Sequence, residues 1–388
     1  MRARRYQLKK DALAIVERGH PWIFRDQLST AATVFGDGDL LRLVDGTNKV
    51  IGHGTYESEG AIAIRVQRRG PALPNATYFR DRLVTAIAAR APLVGRTDGI
   101  RLVNGESDGI PAVSIDRFGD AVVIASYSTG SDALARYLGR ILPQLDALVV
   151  GPATSITLRP ARRRHTAAPE RRAIRGSVPD VARFIEDSIP FAVDLAEGHK
   201  TGAYLDLRGL RRDLATAALG DTRVLNLFSY TGMLARAAEA AGATSITSVD
   251  ASARALAFAA EYHTVDREHH TFIRADVFDW LPDHPETETY DLVIVDPPSM
   301  TSNMNQVPGA LAAYRKIYKT AARHVAPHGA IVAACCTSRI ERAQFHHAVS
   351  EALGHRFKKT RELTPEVDHP VGFPQADYLK IAWWRRTH

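Results

Sequence analysis

Chemistry in this chain is most legible in two short groups of residues. The first, Asp296-Pro297-Pro298, closes the apolar run Tyr290-Asp291-Leu292-Val293-Ile294-Val295. Each proline fixes φ at about −65° and lacks a backbone N–H, so the run ends in a rigid elbow. The Asp296 carboxylate and the carbonyls beside it are thereby held out at the C-terminal end of a buried strand, where open α/β sheets carry their ligands. The second group is the doublet Cys335-Cys336, which follows Ala330-Ile331-Val332-Ala333-Ala334. A free cysteine is usually a small buried hydrophobe. These two, however, end the strand after the Asp296 strand, and in a doubly wound sheet those strands lie side by side. Asp296 and Cys336 are then expected at one rim, facing one crevice.

A thiol there suits addition to an electron-poor ring. Cytosine C5 is a poor nucleophile; a thiolate adding at C6 converts the ring to an enamine whose C5 can take a methyl group, and loss of the C5 proton then expels the thiol. Covalent catalysis divides one hard step into easier ones. The thiolate must form near neutral pH, which requires electropositive surroundings. Asp296 would hydrogen-bond N3 and the exocyclic amine, supporting the charge that develops on attack. Asp368 and His369 are candidates for removing the C5 proton, with nothing else in the sequence to support them.

A crevice for a cofactor is predicted upstream. In Asn226-Leu227-Phe228-Ser229-Tyr230-Thr231-Gly232 a strand turns tightly into a helix N-terminus, which points backbone N–H groups at a ligand carboxylate. Asp250 ends the next strand, where an acid can grip both ribose hydroxyls. Asp276, with Val277 beside it, follows the third strand and can bind an adenine amino group. The plain alternative for Asp250 and Asp276 is a turn or helix-cap acid. A nicotinamide dehydrogenase would want Gly-x-Gly-x-x-Gly for its pyrophosphate. Only Gly232 is present, so a cofactor without pyrophosphate fits better. Gly198-His199-Lys200-Thr201-Gly202 fails the Walker spacing, which argues against an NTPase.

The elements that must position these residues are α/β in character. From about residue 188 strands and helices alternate: strands at 223–228, 245–249, 271–274, 290–295 and 330–334, with helices at 232–241, 252–263, 309–324 and 340–353. This pattern predicts a doubly wound, mainly parallel sheet. Two closing strands, at 356–363 and 378–384, have no helix between them and predict an antiparallel hairpin at one edge. The first seventy residues read instead as a small β-rich unit, with strands at 40–44, 50–54 and 61–66 around Asp45-Gly46-Thr47-Asn48. After the break Gly70-Pro71-Ala72-Leu73-Pro74 come a helix at 77–90 and a strand-and-turn region that includes 121–126.

The chain has 388 residues, too many for one ordinary domain, and a net charge of +7. A basic balance fits an anionic partner such as nucleic acid. Residues 159–175 concentrate it: Arg159, Arg162, Arg163, Arg164, His165, Arg171, Arg172 and Arg175, against Glu170 alone. The segment reads either as a solvated loop or as an arm that tracks phosphates. The two cysteines are adjacent, which excludes a disulfide framework and zinc-site spacing and fits a cytoplasmic setting. The basic Met1-Arg2-Ala3-Arg4-Arg5 precedes no apolar stretch of signal-peptide type. No run approaches the length of a membrane span, and no metal is expected.

Taken together, the residues resemble the bacterial 23S rRNA cytosine-5 methyltransferases, built as a PUA domain, a middle domain and a class I Rossmann-like methyltransferase domain. The resemblance covers nearly the whole chain. It rests on Arg18-Gly19-His20-Pro21-Trp22-Ile23-Phe24, on Leu102-Val103-Asn104-Gly105-Glu106-Ser107-Asp108-Gly109-Ile110-Pro111, and on Gly198-His199-Lys200-Thr201-Gly202-Ala203-Tyr204-Leu205-Asp206-Leu207-Arg208. Phe228–Gly232, Asp296-Pro297-Pro298 and the Cys336 strand end complete it. It implies domains at 1–72, 73–187 and 188–388 and S-adenosylmethionine as cofactor. Lys200, Tyr204, Asp206 and Arg208 would close over that cofactor, and Cys336 would be the nucleophile. It also implies an RNA partner, the large subunit or an assembly intermediate, with no membrane; a homodimer stays open. Trp22 and Phe24 read as core of the small β domain, at least one of them. Two departures stand out. Ser299 follows Asp-Pro-Pro where such enzymes often carry Lys, and Cys335 precedes the nucleophile where a small residue is expected. Adjacent strand residues face opposite sides, so Cys335 stays as the alternative nucleophile. The rival readings are a guanine-N methyltransferase on the same scaffold, needing no thiol, and a non-catalytic RNA-binding assembly factor. A small-molecule methyltransferase would need neither a PUA domain nor the basic arm.

Overall fold

A computed structural model describes residues 3–29, 34–145, 153–162, 166, 170–198 and 201–387. The chain divides into two compact units, Met1–Leu205 with Val367–Pro374, and Asp206–Glu366 with Gln375–His388.

The first unit begins with β1 (Arg4–Gln7), α1 (Lys10–Glu17), β2 (Trp22–Phe24), β3 (Leu40–Val44), β4 (Val50–Tyr56) and β5 (Ile62–Arg69), in a sheet of order β1-β3-β4-β5-β2. Tyr6, Val16, Ile23, Leu41, Leu43 and Ile64 form its core. The pleat sends Ile23 inward, so its neighbours Trp22 and Phe24 are only half-buried. Neither is the core residue expected of them. Trp22 instead donates to Glu106 Oε1 at 2.8 Å and meets Phe373 edge-on at 4.7 Å.

Next come α2 (Ala76–Ala89), β6 (Gly99–Asn104), β7 (Val113–Phe118), β8 (Ala121–Ser126), α3 (Asp132–Ile141), β9 (Ser155–Arg159) and β10 (Arg172–Arg175). Their sheet has the order β10-β9-β8-β7-β6, with β8 and β9 parallel. Asn75 starts α2 by accepting the Tyr78 N–H at 2.9 Å. β11 (Val181–Glu186) and β12 (Ile189–Asp194) pair antiparallel. Their turn, Asp187-Ser188, has both φ angles positive, at 46° and 71°, and lies where the sequence suggested a domain boundary.

The second unit holds α4 (Arg208–Ala215), β13 (Arg223–Leu227), α5 (Met233–Ala240), β14 (Ser245–Asp250), α6 (Ala253–Tyr262), β15 (His270–Arg274) and α7 (Val277–Asp283). It continues with β16 (Tyr290–Val295), α8 (Val307–Ala321), β17 (Val325–Cys335), α9 (Arg342–Leu353), β18 (Phe357–Glu362) and β19 (Lys380–Arg386). The sheet order is β15-β14-β13-β16-β17-β19-β18. Its first five strands are parallel, and β19 runs antiparallel to both neighbours. This is the doubly wound sheet expected from the alternation, with the closing pair at one edge.

Register brings the parallel strands to a common rim: Leu227 pairs with Val249 and Val295, and Val295 with Ala333. Leu225, Leu227, Val293, Val295, Ile331, Ala333 and Cys335 point to one face and join Tyr314, Tyr318 and Phe345 in the main core. The interleaved residues point to the other face.

Candidate active site

The loop after β13 is the most contorted backbone in this unit. Phe228, Tyr230 and Gly232 have φ of 57°, 47° and 80°, alternating with Ser229 and Thr231. Left-handed residues in alternation curl the chain and turn successive N–H groups to one side, the geometry of an anion-binding concavity. Backbone bonds that hold the curl include Ser229 N–H to the Val249 carbonyl at 3.1 Å and Gly232 N–H to the Ser229 carbonyl at 2.9 Å. Gly232 is required by space as well as by φ, since a Cβ there would lie 2.8 Å from Ala259 Cβ. Beneath the loop Asn226 is fully buried, and neither atom of its side-chain amide has a hydrogen-bond partner among the described residues. It lies on the face opposite Leu225 and Leu227.

Asp250 ties this loop to the end of β14. Its Oδ2 accepts from Tyr230 N–H at 2.8 Å and its Oδ1 from Ser252 N–H at 2.8 Å. Asp276 is exposed and caps α7, accepting Phe278 N–H at 2.9 Å, while Val277 is buried behind it. Phe278 in turn packs on Phe228, ring centroids 5.3 Å apart. Asp250 and Asp276, at the ends of β14 and β15, thus serve as turn and cap residues and also stand along the rim.

At the ends of β16 and β17, Asp296 is half-buried and Pro297 buried. The Cys336 Sγ lies 3.7 Å from the Pro297 carbonyl oxygen, so the thiol and the elbow are neighbours. The pleat separates the doublet: Cys335 is 0% exposed in the main core, and Cys336 is half-buried on the other side. Tyr318 clips the two strand ends together, its hydroxyl 2.7 Å from the Ala334 carbonyl oxygen and 3.4 Å from that of Val295. Burial pushes this phenol far above its ordinary pKa. Thr337, buried just past the doublet, accepts Met300 N–H at 3.0 Å and shares a hydrogen bond with the Tyr314 hydroxyl at 2.9 Å. Ser299, in the place where a Lys was looked for, hydrogen-bonds to the Thr301 carbonyl at 3.3 Å.

Of the residues drawn from the Gly198–Arg208 motif, Lys200 lies outside the described residues and Tyr204 belongs to the first unit. Asp206 accepts the Tyr378 hydroxyl at 2.6 Å. Arg208 is buried, with its Nη1 4.0 Å from Glu366 Oε2. Asp368 and His369 belong to the first unit. There Asp368 is fully buried, its Oδ2 accepting Arg101 N–H at 3.0 Å and its Oδ1 2.9 Å from His369 Nδ1.

Part of the basic segment is spent internally. Arg159 donates to the carbonyls of Gly198 and Leu195 at 3.1 and 2.6 Å, and Arg171 also donates to Leu195. Arg162, Arg172 and Arg175 are exposed; Arg163, Arg164 and His165 lie outside the described residues.

Sequence reasoning overlooked the cluster behind the doublet, Thr337, Tyr314, Tyr318 and Lys380. Lys380 is 1% exposed and donates to the carbonyls of Thr337 and Tyr378 at 2.9 and 3.0 Å. A lysine between Leu379 and Ile381 in an apolar strand was the available signal.

Comparison with known proteins bears on this geometry. A family model described as S-adenosylmethionine-dependent methyltransferase matches residues 136–378, and one described as PUA-like domain matches residues 7–69. A ribosomal RNA large subunit methyltransferase of Deinococcus radiodurans is 32% identical, the match covering 98% of this chain and 96% of the relative. Ribosomal RNA large subunit methyltransferase I of Shewanella denitrificans is also 32% identical, covering 97% of this chain and 98% of the relative. Among solved structures, a putative methyltransferase from Streptococcus mutans superposes with a TM-score of 0.84 at 22% identity, covering 98% of this chain and 100% of the other. A putative methyltransferase complexed with SAH gives 0.85 at 21% identity, with the same coverage. These two likenesses speak for the fold.

Proposed function

Because the chain belongs to the S-adenosylmethionine-dependent methyltransferase family and carries a PUA-like domain, we propose that it methylates C5 of a cytosine in large-subunit (23S) ribosomal RNA through a covalent bond to Cys336. Large-subunit rRNA as substrate draws on the names of relatives that match over almost the whole chain. Cytosine C5 draws on one observation, the Cys336 thiol 3.7 Å from the Pro297 carbonyl, at the strand end beside Asp296.

The residues present fit the methyl donor. The curl Phe228–Gly232 offers backbone N–H groups, the Asn226 amide, without a partner among the described residues, lies buried under it, and Asp250 and Asp276 stand at the next two strand ends. Asp206 and Arg208 join this set by resemblance, with Tyr204 and Lys200. When bound, S-adenosylmethionine supplies an electrophilic methyl group. Cys336 adds as thiolate to cytosine C6, forming the S–C6 bond and moving the ring electrons to C5. Asp296 and the Pro297 carbonyl orient the ring by accepting from its polar edge. After C5 is methylated, its proton passes to a base, the C5–H electron pair restores the C5–C6 double bond, and the S–C6 bond breaks to return the thiolate. The PUA-like domain and the exposed Arg162, Arg172 and Arg175 supply phosphate contacts, and the target base is presented unstacked.

The test is incubation with S-adenosylmethionine and large-subunit rRNA carrying 5-fluorocytosine, which blocks loss of the C5 substituent and traps the adduct. A denaturant-resistant protein–RNA bond mapped to Cys336 is the expected result. A bond at Cys335 would move the nucleophile by one residue. Methyl transfer to unmodified RNA without any adduct would favour guanine-N chemistry. Neither adduct nor transfer, on naked RNA and on particles alike, would favour an assembly factor.

A further inference from the structure

We propose that the cavity between the end of β5, α2 and the turn after β6 is a binding site for a phosphate of the RNA backbone; this rests on the reading of rRNA as the substrate. The cavity measures about 550 Å³ and lies wholly within the first unit, a size usual for ligand sites. Arg68, Arg69, Tyr78 and Arg82 line it, with Glu106 and Asp108 from the turn.

Two motifs that methyl transfer leaves unused meet here. Gly19, of the Arg18–Phe24 motif, has a φ of 97°, and a Cβ on it would lie 3.1 Å from Arg69 Nη1. Arg69 Nη2 donates to the Gly19 carbonyl at 2.6 Å. Gly109, of the Leu102–Pro111 motif, has a φ of 71°, and a Cβ on it would lie 3.3 Å from Arg82 Cδ. Each glycine gives an arginine room to lie against the backbone. The bond from Trp22 Nε1 to Glu106, at 2.8 Å, joins the two motifs.

Arg68 and Arg82 share one aromatic partner. Their guanidinium carbons lie 4.7 and 5.2 Å from the Tyr78 ring centroid. The Tyr78 hydroxyl is itself fixed, donating to the Gln67 carbonyl at 3.2 Å. Two cations brought to one ring repel each other, and an anion received between them relieves the repulsion. The acids of the cavity do not supply that anion. Asp108 grips buried Arg90 through both oxygens, at 2.8 and 2.5 Å, and Glu106 is held by Arg65 and Trp22. Arg68 donates to the Leu73 carbonyl at 3.0 Å and Arg69 to that of Gly19, while Arg82 makes no hydrogen bond among the described residues. None of the three has a carboxylate partner among those residues.

A guanidinium fork matches two phosphate oxygens at once. Arg69 and Arg82 are exposed, so a strand can lay a phosphate across the mouth without entering the cavity whole. Contacts of this kind set the register of the RNA and leave its bases unread.

The experiment is binding of the full-length protein to a fluorescently labelled large-subunit rRNA fragment across a salt series, followed by anisotropy. Arg82 is exposed and makes no hydrogen bond among the described residues, so Arg82→Gln should keep the wild-type Tm. It is expected to bind RNA more weakly, with a slope of log affinity against log salt shallower by about one. Arg82→Lys is expected to keep the wild-type slope, as is Arg80→Gln, whose arginine is exposed on α2 beside Asp81 and lies outside the cavity lining. An Arg82→Gln variant with wild-type affinity and slope overturns the proposal alone, and so does an equal loss in Arg80→Gln, which marks a diffuse charge effect. A wild type that binds no rRNA overturns it together with the RNA reading. Calorimetry with inorganic phosphate separates the other source of the same chemistry: phosphate binding lost in Arg82→Gln, with rRNA binding unmoved, would give the cavity to a free phosphate compound and overturn the RNA assignment.

Discussion

Replacing Cys336 with alanine deletes the group asked to form a bond, so methyl transfer should fall by at least about a thousandfold. Binding of S-adenosylhomocysteine, followed by calorimetry, should not change. Cys335→Ala reverses the pattern. That thiol is 0% exposed among apolar neighbours, so its loss should cost about 1 kcal/mol of stability and leave transfer within a few-fold of wild type. An inactive Cys335→Ala with an active Cys336→Ala would transfer the nucleophile's role to the other thiol. At this scale the sequence was informative about types and poor about surroundings. Asp296 and the doublet announced themselves by following apolar runs. Lys380 did not, because a lysine in a strand looks like a surface residue until the partner strands that bury it are known.

Among the elements, the β13–α5 loop and β15 allow two further predictions. Gly232→Ala adds a Cβ 2.8 Å from Ala259 at a φ of 80°, so the curl must open. The variant should lose about 1–3 kcal/mol and bind S-adenosylhomocysteine more than tenfold more weakly by calorimetry. On β15, His270 is buried, its Nε2 2.9 Å from Ser248 Oγ, and burial lowers its pKa from 6.5 to about 4. Between those values the unfolded chain binds more protons than the native one, so His270's contribution is full above about pH 6.5 and is lost as pH falls through 4. Acidification from pH 7 to 5 should therefore cost about 2 kcal/mol through this residue, and His270→Gln should shrink the matching difference in Tm. If the variant and wild type lose the same Tm on acidification, this account of His270 fails. Strand positions were readable because buried parallel strands are apolar runs with sharp ends. The helix α7 was not, since it has seven residues and a proline, Pro282, inside. Helices α1 and α3 and strands β10 to β12 also went unplaced, being short or carrying charges that hide their periodicity.

For the molecule as a whole, a net charge of +7 predicts RNA binding that weakens steeply with salt. Exchanging the exposed Arg172 and Arg175 for Glu should lower rRNA affinity and flatten that salt dependence, while S-adenosylhomocysteine affinity stays put. An unchanged salt slope would return the segment to the plain solvated reading. That a small β-rich region precedes the α/β sheet was legible from composition and turns. The membership of residues 367–374 in the first unit was not, because it depends on Phe373 meeting Trp22 and on Asp368 accepting the Arg101 N–H. Such contacts join positions hundreds of residues apart and leave no local periodicity to read.

The alternation of side chains along β17 also sets how the chain would tolerate errors of copying. A strand shifted by one residue turns every side chain over. Deleting one residue between Ala330 and Ala334 would draw Cys336 into the core and bring Thr337 to the rim, leaving no thiol there. Inserting one would push Cys335 out to the place of Cys336. The doublet therefore protects the rim thiol against gain of a residue and not against loss, an asymmetry that a lone cysteine would lack.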